Sequence, residues 1–417
     1  MKILYRLSTL TAILVASSSI HAATKLAFVT STTGTGDLSS WAEIQALPDP
    51  KPTGLDAGDT ICQTRAEAAN LPNPQTFVAW LSDSNDDAYC RALGLTGKSD
   101  NCNGQKPPSP ADPGPWMRVD GEPFADKLFK ALFGLRVFSP LNVDELGKII
   151  PSTSEAYTGT GWYGGGSNST CNEWTSSSNM SGGRVGLANR TSYHWVDGGD
   201  SDCDNANRLI CLQAGIDGDP LPSKTEWGKR GAFVSRSSGK GNLSAWTFAG
   251  GASGVAAADN VCRKDAQNAN FYQPNSYKAY ISGVDDQGQP INAKDRFTYD
   301  GPWIRADGLR LANGITDLAT GSLFRPLNVY RDGEMDGSGH TWTGTTATGV
   351  LDENHYCENW SVGINDNRLG GYGKTNTIDA DWMGSTHVSS ACGQAFYLYC
   401  LSDADVIFHN EFDGNRL

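Results

Sequence analysis

The sequence predicts an α+β fold written twice in tandem, loop-rich and stapled by disulfides. Three observations carry this: an ordered set of segments recurs once along the 417 residues, each copy mixes short β-rich runs with one helix-spaced run, and the cysteines repeat their spacing. The length suits two units of about 150–200 residues each.

The elements follow in chain order. Residues 1–22, MKILYRLSTLTAILVASSSIHA, carry two basic side chains, an apolar run and a closing Ala22, the pattern of a secretory signal peptide. No later apolar run approaches the ~20 residues of a membrane helix. No cysteine precedes Cys62 to carry an N-terminal lipid. The expected product is therefore exported to the cell exterior, the cell surface or the periplasm, without a membrane span.

A first domain is expected over 23–213, a linker over 214–229, a second domain over 230–402 and a tail over 403–417. KLAFVTSTTGTGDLSSW (25–41) aligns without a gap to RGAFVSRSSGKGNLSAW (230–246). GPWMRVDG (114–121) then matches GPWIRADG (301–308), SPLNV (139–143) matches RPLNV (325–329), and LICL (209–212) matches LYCL (398–401). The order is the same in both halves, which is the signature of duplication. LAFV (26–29), FVAWL (77–81) and RLICL (208–212), with their copies, read as strands. In 54–71, Ala57, Ile61, Cys62, Ala66 and Ala69 follow helical spacing with Asp56 available as N-cap, and Ala257, Val261, Cys262, Ala266 and Ala269 repeat it. Between the two inner cysteines of each copy, Gly and polar residues without a period predict long loops.

Cys62, Cys171, Cys203 and Cys211 correspond to Cys262, Cys357, Cys392 and Cys400, with the last two 8 residues apart in both copies. Ten cysteines in an exported chain read as disulfides, and each set of four permits three pairings. Cys90 and Cys102 fall in a segment with no counterpart, which reads as a disulfide-closed insertion of the first copy. Zinc is disfavoured by the lack of any Cys-x-x-Cys, His-x-His or His-x-x-x-His spacing.

Without Lys2 and Arg6 the chain has 31 basic and 46 acidic residues, a formal net charge of −15. Such a surface repels phosphate backbones and sulfated sugars, which argues against nucleic acid as a partner. No histidine position is shared by the two copies, so a His-dependent catalytic or metal site in both is excluded. The Gly-rich GWYGGGSNS (161–169) lacks the Gly-Lys-Ser/Thr ending of a phosphate loop. Its Trp162 and Tyr163 either belong to a core or, if exposed, offer flat faces for sugar stacking or a protein hot spot. The second copy has no aromatic pair there. The acidic run Asp197, Asp200, Asp202, Asp204 is either a solvated loop or a hard-cation site, calcium being the candidate cofactor. SDSNDD (82–87) carries the same two readings.

The sequence also resembles a known family. A strand, a helix bearing the first cysteine, Ala-Trp-Leu-Ser or Ala-Tyr-Ile-Ser, Thr-Gly-Thr, Cys-x-x-Trp, a Gly-rich loop, a third cysteine and a final Cys-bearing strand are similar to endostatin. They are closer still to the leptospiral endostatin-like proteins, most clearly over 340–401 with HTWTGT, HYCENW and SSACGQAFYLYCL. The resemblance implies two tandem C-type-lectin-like domains. It implies nested disulfides, Cys62–Cys211 around Cys171–Cys203 and Cys262–Cys400 around Cys357–Cys392, with Trp174 and Trp360 packed on the inner bridges. The calcium-lectin motif is not intact: Val196 stands where a ligand asparagine belongs in Trp195–Asp197, and the second copy reads Trp382, Met383, Gly384. Endostatin's zinc-binding histidines and heparin-binding arginines have no counterparts. The implied function is non-enzymatic recognition of an extracellular glycoprotein or glycan, with Trp162, Tyr163, Asp197 and Asp200 as candidate ligand-binding residues. A matrix component assembling through these domains is the alternative, and a formylglycine-generating oxidase, which needs unpaired cysteines, a more distant one. The sequence leaves the oligomeric state open.

Overall fold

The computed structural model describes residues 25–106, 114–132, 136–215, 230–336, 339–384 and 388–404. The expected leader, residues 216–229 of the expected linker and residues 405–417 of the tail lie outside the described residues. The fold is mixed α and β with five disulfides.

The first half runs through β1 (Lys25–Val29), the helix Gly54–Ala68, β2 (Phe77–Ala79), β3 (Trp116–Arg118), β4 (Pro123–Ala125), β5 (Glu155–Tyr157), β6 (Gly182–Leu187), β7 (Gly199–Asp202) and β8 (Arg208–Gln213). Its strands form one sheet in the order β4-β3-β1-β8-β5-β6-β7, with β2 added beside β8. The second half contains β9 (Arg230–Val234), the helix Gly254–Asn268, β10 (Tyr277–Ala279), β11 (Gly283–Val284), β12 (Pro290–Ile291), β13 (Trp303–Arg305), β14 (Arg310–Ala312), β15 (His340–Trp342), β16 (Leu369–Lys374), β17 (Ser389–Ala391) and β18 (Tyr399–Ser402). The register repeats: Phe28 pairs with Cys211 and Lys25 with Trp116, as Phe233 pairs with Cys400 and Arg230 with Trp303. β1 and β9 are largely buried, which is why they read as unbroken apolar runs rather than alternating ones. Among the described residues, every pairing between named strands stays inside one half.

Three sequence expectations change. The chain enters each long helix through a glycine at positive φ, Gly54 at 58° and Gly254 at 57°. Thr53 therefore holds the N-cap place, without a side-chain bond, and Asp56 sits in the first turn. There its charge still complements the positive helix end. The FVAWL and YKAYI strands end at Ala79 and Ala279. The stretch between the inner cysteines is not all loop, because β6, β7, β16 and β17 lie in it. Its glycines are required by close packing: a Cβ on Gly186 would lie 1.9 Å from the Trp195 carbonyl oxygen, and one on Gly373 1.8 Å from that of Trp382.

All ten cysteines are bonded, as Cys62–Cys211, Cys171–Cys203, Cys90–Cys102, Cys262–Cys400 and Cys357–Cys392. The outer bridges tie each long helix to the last strand of its half and close 149 and 138 residues, worth ~5 kcal/mol each in the chain-entropy account. The inner bridges close 32 and 35 residues, worth ~4 kcal/mol. The disulfides and the lack of a membrane-crossing helix among the described residues are compatible with an extracellular or periplasmic protein.

The Cys-x-x-Trp stretch has a conformation that the sequence did not announce. All four residues are left-handed, with φ of 48° to 62° over 171–174 and 50° to 60° over 357–360. Non-glycine residues in that region cost roughly 1–2 kcal/mol each, so the turn must be held from outside. The disulfide holds one end. At the other, the indole of Trp174 donates to the Ser82 carbonyl at 2.9 Å, and that of Trp360 to Ser282 at 2.7 Å. Both tryptophans are fully buried in the same clusters as their disulfides, as expected. The glycine of each Thr-Gly-Thr lies against the ring: a Cβ on Gly159 or Gly344 would come within 2.6 Å of Cζ2 of Trp174 or Trp360. The repeated motif is one interlocked turn.

A buried ion pair recurs with its polarity reversed. In the first half Arg65, on the long helix, pairs with Glu145, whose other oxygen accepts the Ser31 amide at 2.9 Å. In the second half Asp265 takes the helix position, pairs with Arg331 and accepts the Arg236 amide at 2.8 Å. Either order puts one carboxylate under the same backbone N–H and one guanidinium beside it.

Candidate functional site

Residues 160–166 form a tight projecting turn. Thr160 and Gly166 bridge its base, Gly161 donates to the Gly165 carbonyl at 2.8 Å, and Gly164 donates back to Gly161 at 2.9 Å. Gly164 has φ of 85°, which only glycine adopts cheaply. The turn lifts Trp162 and Tyr163 outward at 52% and 42% exposure, their rings edge to face at 5.7 Å. Every other described tryptophan is at most 8% exposed, so the core reading of Trp162 falls and the surface reading stands.

Asp197 touches this turn directly, and Asp200 is joined to Asp197 through Arg184. The Asp197 carboxylate accepts the Trp162 amide at 2.8 Å and pairs with Arg184 at 2.8 Å. Asp200, opposite Arg184 across β6 and β7, pairs with it at 3.1 Å. Arg184 thus answers two carboxylates of the acidic run, which are engaged as an ion-pair triad rather than gathered as a ligand set. Among the described residues no group of three acidic, His or Cys side chains could hold a metal ion.

The insertion closes the other side of the turn. Asp87, 3% exposed, accepts the Gly166 amide at 2.8 Å with one oxygen and the Ser99 amide at 2.7 Å with the other. Its carboxylate is a clip between the aromatic turn and the loop stapled by Cys90–Cys102. Lys98 adds bonds to the Asp83 carbonyl at 2.8 Å and to Asp87 at 3.2 Å. Asp83 itself accepts the amides of Asn85 and Asp86 at 2.8 and 2.7 Å, and Asp86 accepts that of Gly97. The Asp83, Asp86 and Asp87 carboxylates of SDSNDD therefore order backbone. Beside this stretch lies an open depression of about 600 Å³ lined by Asn85, Asp86, Thr96, Lys98, Asn101 and Asn103 among others. Its amide, carboxyl and hydroxyl groups are suited to hydrogen-bonding hydroxyls, and the loop that carries them is clipped through Asp87 to the turn that bears the aromatic pair.

Sequence reading missed Arg184, and it named Asp87 and the insertion without their part in bracing the aromatic turn. One signal was present: the insertion and the aromatic pair are both absent from the second copy. At the matching place that copy has a turn bridged by Thr345 and Leu351 and the β11–β12 ribbon. Its own depression, about 720 Å³, lies elsewhere, between residues 237–247 and 361–368. Arg368 on its wall is paired with Asp366 at 2.5 Å and with Glu358 at 3.3 Å.

The described histidines do not converge. His355 pairs with Asp352 at 2.8 Å, His340 packs on Tyr372 and Phe396, and His194 lies against Tyr193 with Asn376 at 3.1 Å. His387 lies outside the described residues. Burial, with Arg190 and Lys374 nearby, depresses His194 to about 4. No protein-family model matches the chain, and no curated protein matches it.

Proposed function

We propose that the protein is an exported, non-enzymatic recognition protein built from two endostatin-like units of the C-type-lectin-like class, and that the first unit binds the glycans of extracellular glycoproteins. The exposure of Trp162 carries this reading. A chain that buries every other described tryptophan leaves one at the tip of a braced turn, next to Tyr163, and that turn is clipped to a loop lining a depression rich in Asn, Asp and Thr. A large apolar face in that setting is the usual anchor of a binding site. The four nested disulfides support the resemblance, since they pair as it implies. That every cysteine is bonded supports the recognition reading over the oxidase alternative, which needs unpaired cysteines.

The test is binding of the mature protein to a panel of matrix glycoproteins and free glycans, with calcium and then with EDTA. Trp162→Ala and Tyr163→Ala should each weaken binding by roughly 10- to 100-fold, the range for a hot-spot aromatic. EDTA should leave binding unchanged because Asp197 and Asp200 are already paired with Arg184. Binding untouched by both substitutions removes the site, and binding lost in EDTA assigns the acidic run to a cation.

A further inference from the structure

Two contacts between the halves join a residue to its own counterpart. NRTSYHW (189–195) aligns with NTIDADW (376–382), so Arg190 corresponds to Thr377, and these two form an antiparallel bridge. SPLNV aligns with RPLNV, so Ser139 corresponds to Arg325, and the Arg325 Nε donates to the Ser139 hydroxyl at 3.1 Å. A residue meets its own counterpart only where a rotation exchanging the two copies leaves the contact in place. Two such points define an axis. The surrounding contacts agree: Thr191 donates its amide to the Asn376 carbonyl at 2.9 Å, Arg190 reaches Asp381 at 3.0 Å, and on the other side His194, the counterpart of Asp381, meets Asn376 beside Thr377. Thr191 and Thr377 are fully buried, and Asn189, Asn376 and Arg325 nearly so.

We infer that the two halves are joined about a local two-fold axis through one self-complementary surface, so the partner this face of the repeat fits is another copy of the same repeat. Such pairing is the isologous geometry of a symmetric dimer, realised here inside one chain. The side chains also choose which copy. Arg190 faces Asp381, whereas two first repeats would set Arg190 against His194. Arg325 meets Ser139 and Glu122, whereas two second repeats would set Arg325 against Arg325. Loss of the Arg190 carboxylate partner in the first case and like-charge contact in the second disfavour pairing of identical repeats between chains. The second half, which lacks the aromatic pair, thereby has a role of its own as the occupant of this face. The inference stands on these residue pairs and is independent of the glycan reading.

Exchange of equivalent residues in the full chain tests it. Arg190→Thr with Thr377→Arg breaks the Arg190–Asp381 pair and sets a guanidinium before His194. Adding His194→Asp and Asp381→His recreates the original pair on the two-fold-related side. Hydrogen exchange of the Thr191 amide, corrected for intrinsic rates, should accelerate by about tenfold or more in the first variant and return to within about threefold of native in the second. A half exchange indistinguishable from native, or a full exchange as fast as the half, overturns the axis. If the half exchange does not fold, the other contact gives the same test: Ser139→Arg with Arg325→Ser, alone and then with Glu122→Leu and Leu309→Glu. Full exchange should again restore native protection, and failure to do so refutes the inference.

Discussion

Reversing the buried pair of the first half to the order used by the second is the most demanding perturbation of this fold. The Glu145 side chain is fully buried, whereas Arg65 keeps 23% exposure. Arg65→Asp alone puts two carboxylates together, and Glu145→Arg alone puts two guanidiniums together while removing the acceptor of the Ser31 amide. Breaking a buried pair costs 3–5 kcal/mol. Water reaching Arg65 places each single change at the lower end, about 3 kcal/mol. For a unit the size of the first half that lowers the melting temperature by roughly 6–12 °C. The double variant rebuilds what Asp265 and Arg331 make, a carboxylate under the same backbone amide, and should cost about 1–2 kcal/mol. Thermal and denaturant unfolding of the four proteins of the cycle measure the coupling. A double variant that loses the sum of the single losses, about 6 kcal/mol, refutes the claim that the two pairs are one interaction in two polarities.

The remaining predictions are these. Gly344→Ala, at φ of 59° and with its new methyl 2.6 Å from the Trp360 ring, should destabilise the second half by about 2–3 kcal/mol, read by near-ultraviolet circular dichroism and unfolding. Cys90→Ser with Cys102→Ser opens a 12-residue loop worth ~3 kcal/mol; it should raise hydrogen exchange at Ser99 and Gly166 and lower glycan affinity while leaving the core of the second half intact. The two carboxylates of the reversed pair should titrate on opposite sides of their ordinary values. Burial pulls Glu145 up, but the Ser31 and Arg65 hydrogen bonds outweigh it and hold it low; burial dominates at Asp265 and raises it. By linkage, the stability from Glu145 is present above its unfolded value and lost as pH falls through its lower folded one. That associated with Asp265 is greatest below its unfolded value and lost as pH rises through its higher folded one. Carboxyl carbon shifts followed through acid titration check both signs, and a raised Glu145 or a lowered Asp265 contradicts them.

Much of the fold was legible because duplication places two solutions to the same problem side by side. Shared apolar positions of Ala57, Ile61 and Cys62 with Ala257, Val261 and Cys262 marked the buried face of a helix, and LAFV its neighbouring strand. The strands around Gly186 and Gly373 were hidden. Glycine there serves close contact with a carbonyl of a tryptophan nine residues further on, and that demand has no periodicity. The same holds for the left-handed Cys-x-x-Trp turns, which are strained locally and held by distant Ser82 and Ser282. At the site, Trp162, Tyr163, Asp197 and Asp200 were visible as residue types. Their role was not, because exposure and pairing with Arg184 and the insertion are set by strands far apart in sequence.

The sequence by itself determined the duplication, the α+β character and the matching of cysteine sets, since these follow from residue order and spacing. Only the tertiary structure decided that the acidic run answers a guanidinium and that Trp162 faces solvent. It alone reversed one ion pair against its copy and set Arg190 against Thr377. Those outcomes depend on which groups end within about 3 Å of each other, a distance that folding sets and chain order does not.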